Sequence, residues 1–163
     1  MRAIPRKPLA LASAGTTLAL AAAGGGIALA TAPSGETVTP LARGALVKPA
    51  NVNRKVTGGR VRIKTDGALD ALMAQVILAP GGTTGWHSNT GPVINIVKKG
   101  TLTIIDANCK RHDIPAGHAA ISPGSTDKLE NLSGKPVAFN VTFLLPHGVK
   151  PDIDAPPPAG CTT

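Results

Sequence analysis

Glycine and proline interrupt this chain too often for long helices. From Gly59 onward the apolar runs are short, and each ends at turn residues. Leu69 to Ala79 stops at Pro80-Gly81-Gly82, Ala119 to Ser122 at Pro123-Gly124, and Pro136 to Leu145 at Pro146. Val93 to Val97 leads through Lys98-Lys99-Gly100 into Thr101 to Ile105, the pattern of a hairpin with glycine where the turn wants positive φ. Arg60, Arg62 and Lys64 alternate with Val61, Ile63 and Thr65, which is the period of a half-buried strand. The three cations then share a face. That face reads either as an anion-binding stripe or as a solvated outer surface that discourages edge pairing, and the second is the expectation. Leu69 to Met73 is compatible with one helical turn, but no long helical period follows. With 19 Gly and 15 Pro in 163 residues, a helical bundle is excluded. Many short strands in one domain imply a sandwich or a barrel.

The N-terminus has a different composition. Arg2, Arg6 and Lys7 precede an Ala/Leu-rich run from Leu9 to Ala23, and no further charge occurs before Glu36. This is the layout of a secretory signal peptide, with small residues Ala28 and Ala30 at the expected cut and residues 1–30 removed. The alternative is an uncleaved anchor, in which case the chain would touch a membrane. No cysteine lies near the cut and Arg2 and Arg6 are not adjacent, so neither a lipoprotein nor a twin-arginine signal is indicated. The expected destination is therefore secreted or extracytoplasmic, in a bacterial envelope or outside it.

Export agrees with the two cysteines, Cys109 and Cys161, which are expected to bridge in an oxidising compartment. Two reduced thiols or a metal pair are the alternatives. A bridge would tie a Pro-rich tail, residues 151–163, back to the domain. Residues 31–58, where Pro33, Pro40 and Pro49 interrupt any regular element, read as an extended N-terminal arm, and residues 59–150 as the domain. The chain carries 17 Lys and Arg against 9 Asp and Glu, a moderate positive excess once the signal segment is gone. Its aromatic residues are only Trp86, Phe139 and Phe143, too few faces for base stacking, so no nucleic-acid partner is expected.

Two spaced patterns carry a family resemblance. Gly81 is followed after five residues by His87 and later by Gly100; Gly117 is followed after five residues by Pro123. This frame resembles the cupins, small double-sheet jelly rolls, over roughly Leu69 to Pro146. The resemblance implies an all-β, single-domain, cupin-type double-stranded β-helix with the N-terminal arm appended. It also implies a divalent metal held by two His and a Glu of the first motif and a His of the second. Here the second His position is Asn89 and the Glu position Val93. The last His position is Lys128 in the strict frame. Taking Gly124 as the motif glycine makes it Asp127 and places the motif Asn at Asn131, and this frame is preferred.

What remains for a metal is His87 with Asp127, helped by Asn89 and water, a weak donor set. The expected cofactor is accordingly none, or a weakly bound divalent metal. Strand parity places His87, Asn89, Val93 and Asn95 on one face if the Gly91-Pro92 turn keeps register. With Asp127 these five form the expected ligand pocket. The first functional expectation is a non-catalytic exported protein, without catalytic residues, that binds a small polar ligand in the barrel or serves as a structural module. The second is a metal-dependent dioxygenase, isomerase or epimerase using a reduced His/Asp/Asn site. A homodimer is compatible with either. His112, His118 and His147 have no partner at ligand spacing and read as surface residues; no nucleophile-elbow or phosphate-loop pattern occurs.

Overall fold

The computed structural model describes residues 31–161; the expected signal segment lies outside the described residues. There are strands and no helix among them: β1 (Ser34–Ala45), β2 (Asn51–Val56), β3 (Gly59–Lys64), β4 (Leu69–Asn89), β5 (Val93–Lys99), β6 (Thr101–Asp106), β7 (Arg111–Pro115), β8 (Ala119–Ser122), β9 (Thr126–Glu130), β10 (Val137–Pro146) and β11 (Asp152–Asp154).

Two antiparallel sheets face each other, and β4 belongs to both. Its first half pairs with β10, from Leu69↔Pro146 to Leu78↔Val137, and with β1 on its other edge. A register shift between Thr83 and Trp86 turns it into the opposite sheet, where it pairs with β9 on one side and β11 on the other. One sheet is thus β1-β4-β10-β5-β8 and the other β7-β6-β9-β4-β11. This is a double-sheet jelly roll, the architecture that the glycine and proline frame implied.

The corners explain that frame. Gly81, Gly100 and Gly117 have φ of 71°, 78° and 84°, a region costly for residues with a Cβ. Gly81 N donates to Asn131 O at 3.0 Å and Gly117 N to Val97 O at 2.9 Å, so each motif glycine turns the chain where a corner is tied. Between the sheets lie Val76, Leu78, Val97, Leu102, Leu129, Val137 and Phe139, all buried. On β10 they alternate with partly exposed neighbours, the two-residue period of a strand with one face on a core.

Four local expectations are overturned. The Lys98-Lys99-Gly100 segment does not close a hairpin: β5 pairs with β8 and β10, and β6 with β7 and β9. Gly100 instead carries the chain from one sheet to the other. The prolines of residues 31–58 do not prevent regular structure. β1 runs along β4, and the register shift between Pro40 and Ala42 accommodates a residue that has no N–H to give the ladder. Leu69 to Met73 is strand, not a helical turn, and β4 continues past Pro80-Gly81-Gly82 by bulging. Finally, β9 and β11 leave no strand pattern to read, being short, polar and partnered only with strands distant in sequence, whereas β7 folds back on its neighbour β6.

Arg60, Arg62 and Lys64 do share a face, together with Lys55, but not on the barrel. β2 and β3 form a separate two-stranded sheet, exposed along both strands, whose opposite face carries Val52, Val61 and Ile63. Cys109 and Cys161 are bridged, with Cα atoms 5.2 Å apart, and Ala155 N donates to Trp86 O at 3.0 Å. The tail is pinned across the second sheet.

Candidate functional site

The register shift that bends β4 sets the site. Beyond it, His87 and Asn89 point between the sheets, and the Thr90-Gly91-Pro92 turn returns the chain as β5 with Val93 and Asn95 on the same side. A Cβ on Gly91 would overlap the Leu144 carbonyl oxygen, so glycine is what lets this turn lie against β10. On the neighbouring strand β9, Asp127 sits directly opposite His87. All five expected residues line one cavity of about 270 Å³. All five are buried. Lys128, the alternative in the strict frame, faces away. Its Nζ lies 5.4 Å from the Trp86 ring centre and 2.8 Å from Glu130 Oε1.

The polar wall is a connected group. His87 Nε2 is 3.2 Å from Asp127 Oδ1, and Asn89 Nδ2 donates to the same oxygen at 3.3 Å. His87 Nδ1 lies 3.1 Å from the Gly85 carbonyl, which can only accept. Both ring nitrogens therefore face acceptors, and the pair is satisfied only when a proton lies between Nε2 and the carboxylate. Burial raises the Asp127 carboxyl above its ordinary range, partly offset by the His87 charge and by hydrogen bonds from Ser122 and Asn89. Asn95 is only 2% exposed, and its Oδ1 has no hydrogen-bond partner. The sheet that carries Asn95, opposite His87 and Asp127, is otherwise apolar here, with Leu72, Ala74, Val76, Phe139, Val141 and Phe143.

Pattern reading did not find the rim. Glu36 of β1 and Asp152 and Asp154 of β11 line the cavity mouth. Glu36 is raised by burial, an effect opposed by the His87 charge and reinforced by Asp152. The only signal in the sequence was Glu36 as the first charge after the apolar N-terminus; a three-residue strand leaves no period to detect.

The donor set does not fit a tightly held divalent metal. Asp127 Oδ1 already serves both His87 and Asn89, and among the described residues no three His, Cys, Asp or Glu side chains converge.

A second cavity, of about 400 Å³, lies toward β6 and β7, and Asp127 borders it as well. His112 borders it half-buried, with Nε2 2.9 Å from Asp106 Oδ2, while His147, elsewhere on the surface and exposed, has Nδ1 2.7 Å from Asp70 Oδ1; both surface histidines thus carry an acidic partner. His118 is exposed, as expected. Asp106 also accepts from Asn108 N and Lys110 N, and so shapes the turn that holds Cys109 at φ 62°. Asn131 is fully buried. It donates to Leu78, Ala79 and Lys135 carbonyls and accepts from Ser133, which makes it a corner brace.

No protein-family model matches the chain, and no curated protein sequence matches it. Among solved structures, it is similar to a Cupin 2 domain of an XRE family transcriptional regulator from Enterobacter cloacae (20% identity, TM-score 0.40, covering 46% of this chain and 80% of that one). It is also similar to the polyketide cyclase RemF from Streptomyces resistomycificus (16% identity, TM-score 0.45, covering 52% and 60%). A third is a predicted oxalate decarboxylase from Thermotoga maritima (23% identity, TM-score 0.41, covering 48% and 82%). Each likeness covers about half of this chain, and the fold assignment rests on the strand order and corner glycines above.

Proposed function

We propose that this chain is an exported binding module that holds a small polar ligand between its sheets and performs no chemistry of its own. The observation that carries this reading is Asn95. It is a buried amide whose Oδ1 lacks a partner, on the wall of a cavity whose other buried side chains His87, Asn89 and Asp127 are engaged with one another. A buried acceptor left unmade costs about 1–3 kcal/mol, so a donor supplied by a ligand or by water is favoured there. Asp127 and His87 satisfy each other rather than presenting an open set of metal ligands, which supports binding over metal catalysis. The Cys109–Cys161 bridge suits an oxidising compartment and so supports export.

The test is a binding screen of small polyols, amines and organic acids, read by thermal shift and titration calorimetry. A hit is expected to lose at least tenfold in affinity in Ala74→Leu, which fills the cavity from its apolar wall, while that variant stays folded. Stoichiometric metal in the purified protein that is lost in both His87→Ala and Asp127→Ala would overturn the reading in favour of a metal enzyme. N-terminal sequencing of secreted material is expected to start near Thr31; an intact Met1 in a membrane fraction would overturn export.

A further inference from the structure

Charge is unevenly divided in this protein. Of its 9 acidic residues, Glu36, Asp127, Asp152 and Asp154 line the cavity, whereas none of the described Lys or Arg does. His87 is the only basic group among the lining residues, and it is already directed at Asp127. A chain with 17 Lys and Arg has thus built an anionic pocket, although cations were available to neutralise it. A low-dielectric concavity lined by one sign of charge concentrates ligands of the other.

A second observation is independent of the carboxylates. Asn95 Oδ1, buried on the cavity wall without a partner, is an acceptor that asks for an N–H or O–H donor. Beside it in the same sheet, where Asn95 pairs with Val141, the residues Leu72, Ala74, Val76, Phe139, Val141 and Phe143 offer only apolar surface, and the two phenyl rings are compatible with a nearby cation. At about 270 Å³ the space is smaller than a drug-sized pocket, so the ligand body is short, roughly six carbons.

We propose that the cavity's ligand is an organic ammonium ion, with N–H donors at its charged end and a short apolar body. This rests on the binding reading above and narrows it. A metal cation is disfavoured because the carboxylates are spread between rim and wall, and among the described residues no three ligating groups converge. A neutral polyol would supply donors but leave the rim carboxylates Glu36, Asp152 and Asp154 uncompensated and the apolar wall unmatched. A carboxylate ligand would meet like charge on entry.

The experiment is calorimetric titration of the purified protein with hexylamine, 1-hexanol, hexanoate and hexyltrimethylammonium. Hexylamine is expected to bind at least tenfold more tightly than hexanol, hexyltrimethylammonium more weakly than hexylamine, and hexanoate weakest. In a Glu36→Gln/Asp152→Asn variant, on partly or fully exposed positions, the preference for amine over alcohol should fall at least fivefold with hexanol affinity unchanged. Asn95→Leu should weaken hexylamine and leave the methylated cation unaffected. Equal binding of amine and alcohol, both lost in Ala74→Leu, would overturn the cation assignment while the binding reading stands. Amine binding that survives Ala74→Leu would place the cation elsewhere and overturn the inference. If none of the four probes bound and the wider screen also found nothing, both readings would fall together.

Discussion

A side chain at Gly100 would meet two obstacles, and one at Gly117 only the first. Both residues have positive φ, 78° and 84°. A Cβ at Gly100 would also lie 2.9 Å from Val137 Cγ2, whereas Gly117 has open space around it. Gly117→Ala is expected to lose about 1–2 kcal/mol from backbone strain alone. Gly100→Ala should lose about 3 kcal/mol or more, because Val137 is fully buried and cannot retreat. Urea midpoints of the two variants check the order; equal losses would mean that the corner is looser than its packing. Acid stability is likewise decided at single residues. Asp70 is lowered to about 2 by hydrogen bonds from His147, then Arg43 and the Gly148 N–H. A carboxyl depressed on folding stabilises fully above its ordinary value near 4, and that contribution fades as pH falls toward 2. Asp106 and Asp113 are depressed as well, by His112 and Arg111 respectively, and add to the same acid limb. Thermal unfolding from pH 5 to pH 2 should therefore show a decline that is shallower in Asp70→Asn; an unchanged slope would remove Asp70 from the account. The raised Glu36 has the opposite sign, favouring the fold below its ordinary value and losing that advantage as pH rises through its folded one. Neither His147 nor His112 could be paired by reading along the chain. The His147 partner is 77 residues away, and the His112 partner, six residues away, lies across the β6–β7 turn that Asp106 itself closes by accepting from Asn108 N and Lys110 N.

Among the elements, β5 and β6 show what a pattern can and cannot specify. β5 alternates and buries Val93, Asn95 and Val97, while β6 buries Leu102 and Ile104 on its core side and Thr103 as well, whose hydroxyl donates to Asp113. Alternation says which side of a strand faces inward, but it carries no information about which strand lies on either edge. A hairpin and a sheet-to-sheet corner at Gly100 therefore look alike in sequence, and the corner won because each strand finds two other partners. Shortness hid β11 in the same way, yet this strand carries Asp152 and Asp154 to the mouth of the cavity. Its anchor is the Cys109–Cys161 bridge, which closes a loop of 52 residues and is worth about 4 kcal/mol in the chain-entropy picture. Cys161→Ser, or mild reduction, is expected to lower the unfolding temperature and to weaken binding in the cavity by releasing the β11 rim. A loss of stability with affinity intact would show that the tail contributes nothing to the site.

In the whole molecule, two parts behave differently. The jelly roll shares one core across both sheets, whereas the β2–β3 hairpin is exposed on both faces and joined at its base by Thr65 N to Ala50 O at 2.9 Å. An isolated two-stranded ribbon is marginal in water. Replacing residues 51–64 by a short turn should leave the barrel unfolding as one cooperative unit, with its midpoint shifted by less than about 2 °C on the scale of ~1 kcal/mol effects. A large drop would show that the hairpin supports the barrel after all. The same division sorts the charges, with cations displayed on the hairpin and carboxylates gathered at the cavity.

By itself the sequence determined most strand periods, where the chain turns and the inward face of the β4–β5 turn. These follow from local rules: a two-residue repeat, φ accessible only to glycine, and fixed spacing between turns. It also determined that His87, Asn89, Val93 and Asn95 share a side, because parity survives a turn that keeps register. Asp127 opposite His87 is already favoured over Lys128 by the frame that recovers Asn131, whereas tertiary structure alone decided that Gly100 joins two sheets and that Glu36, Asp152 and Asp154 surround the mouth. Those outcomes depend on edge pairing and bulge position between segments far apart in the chain. Such choices are set by burying one shared core, which no local stretch of residues encodes.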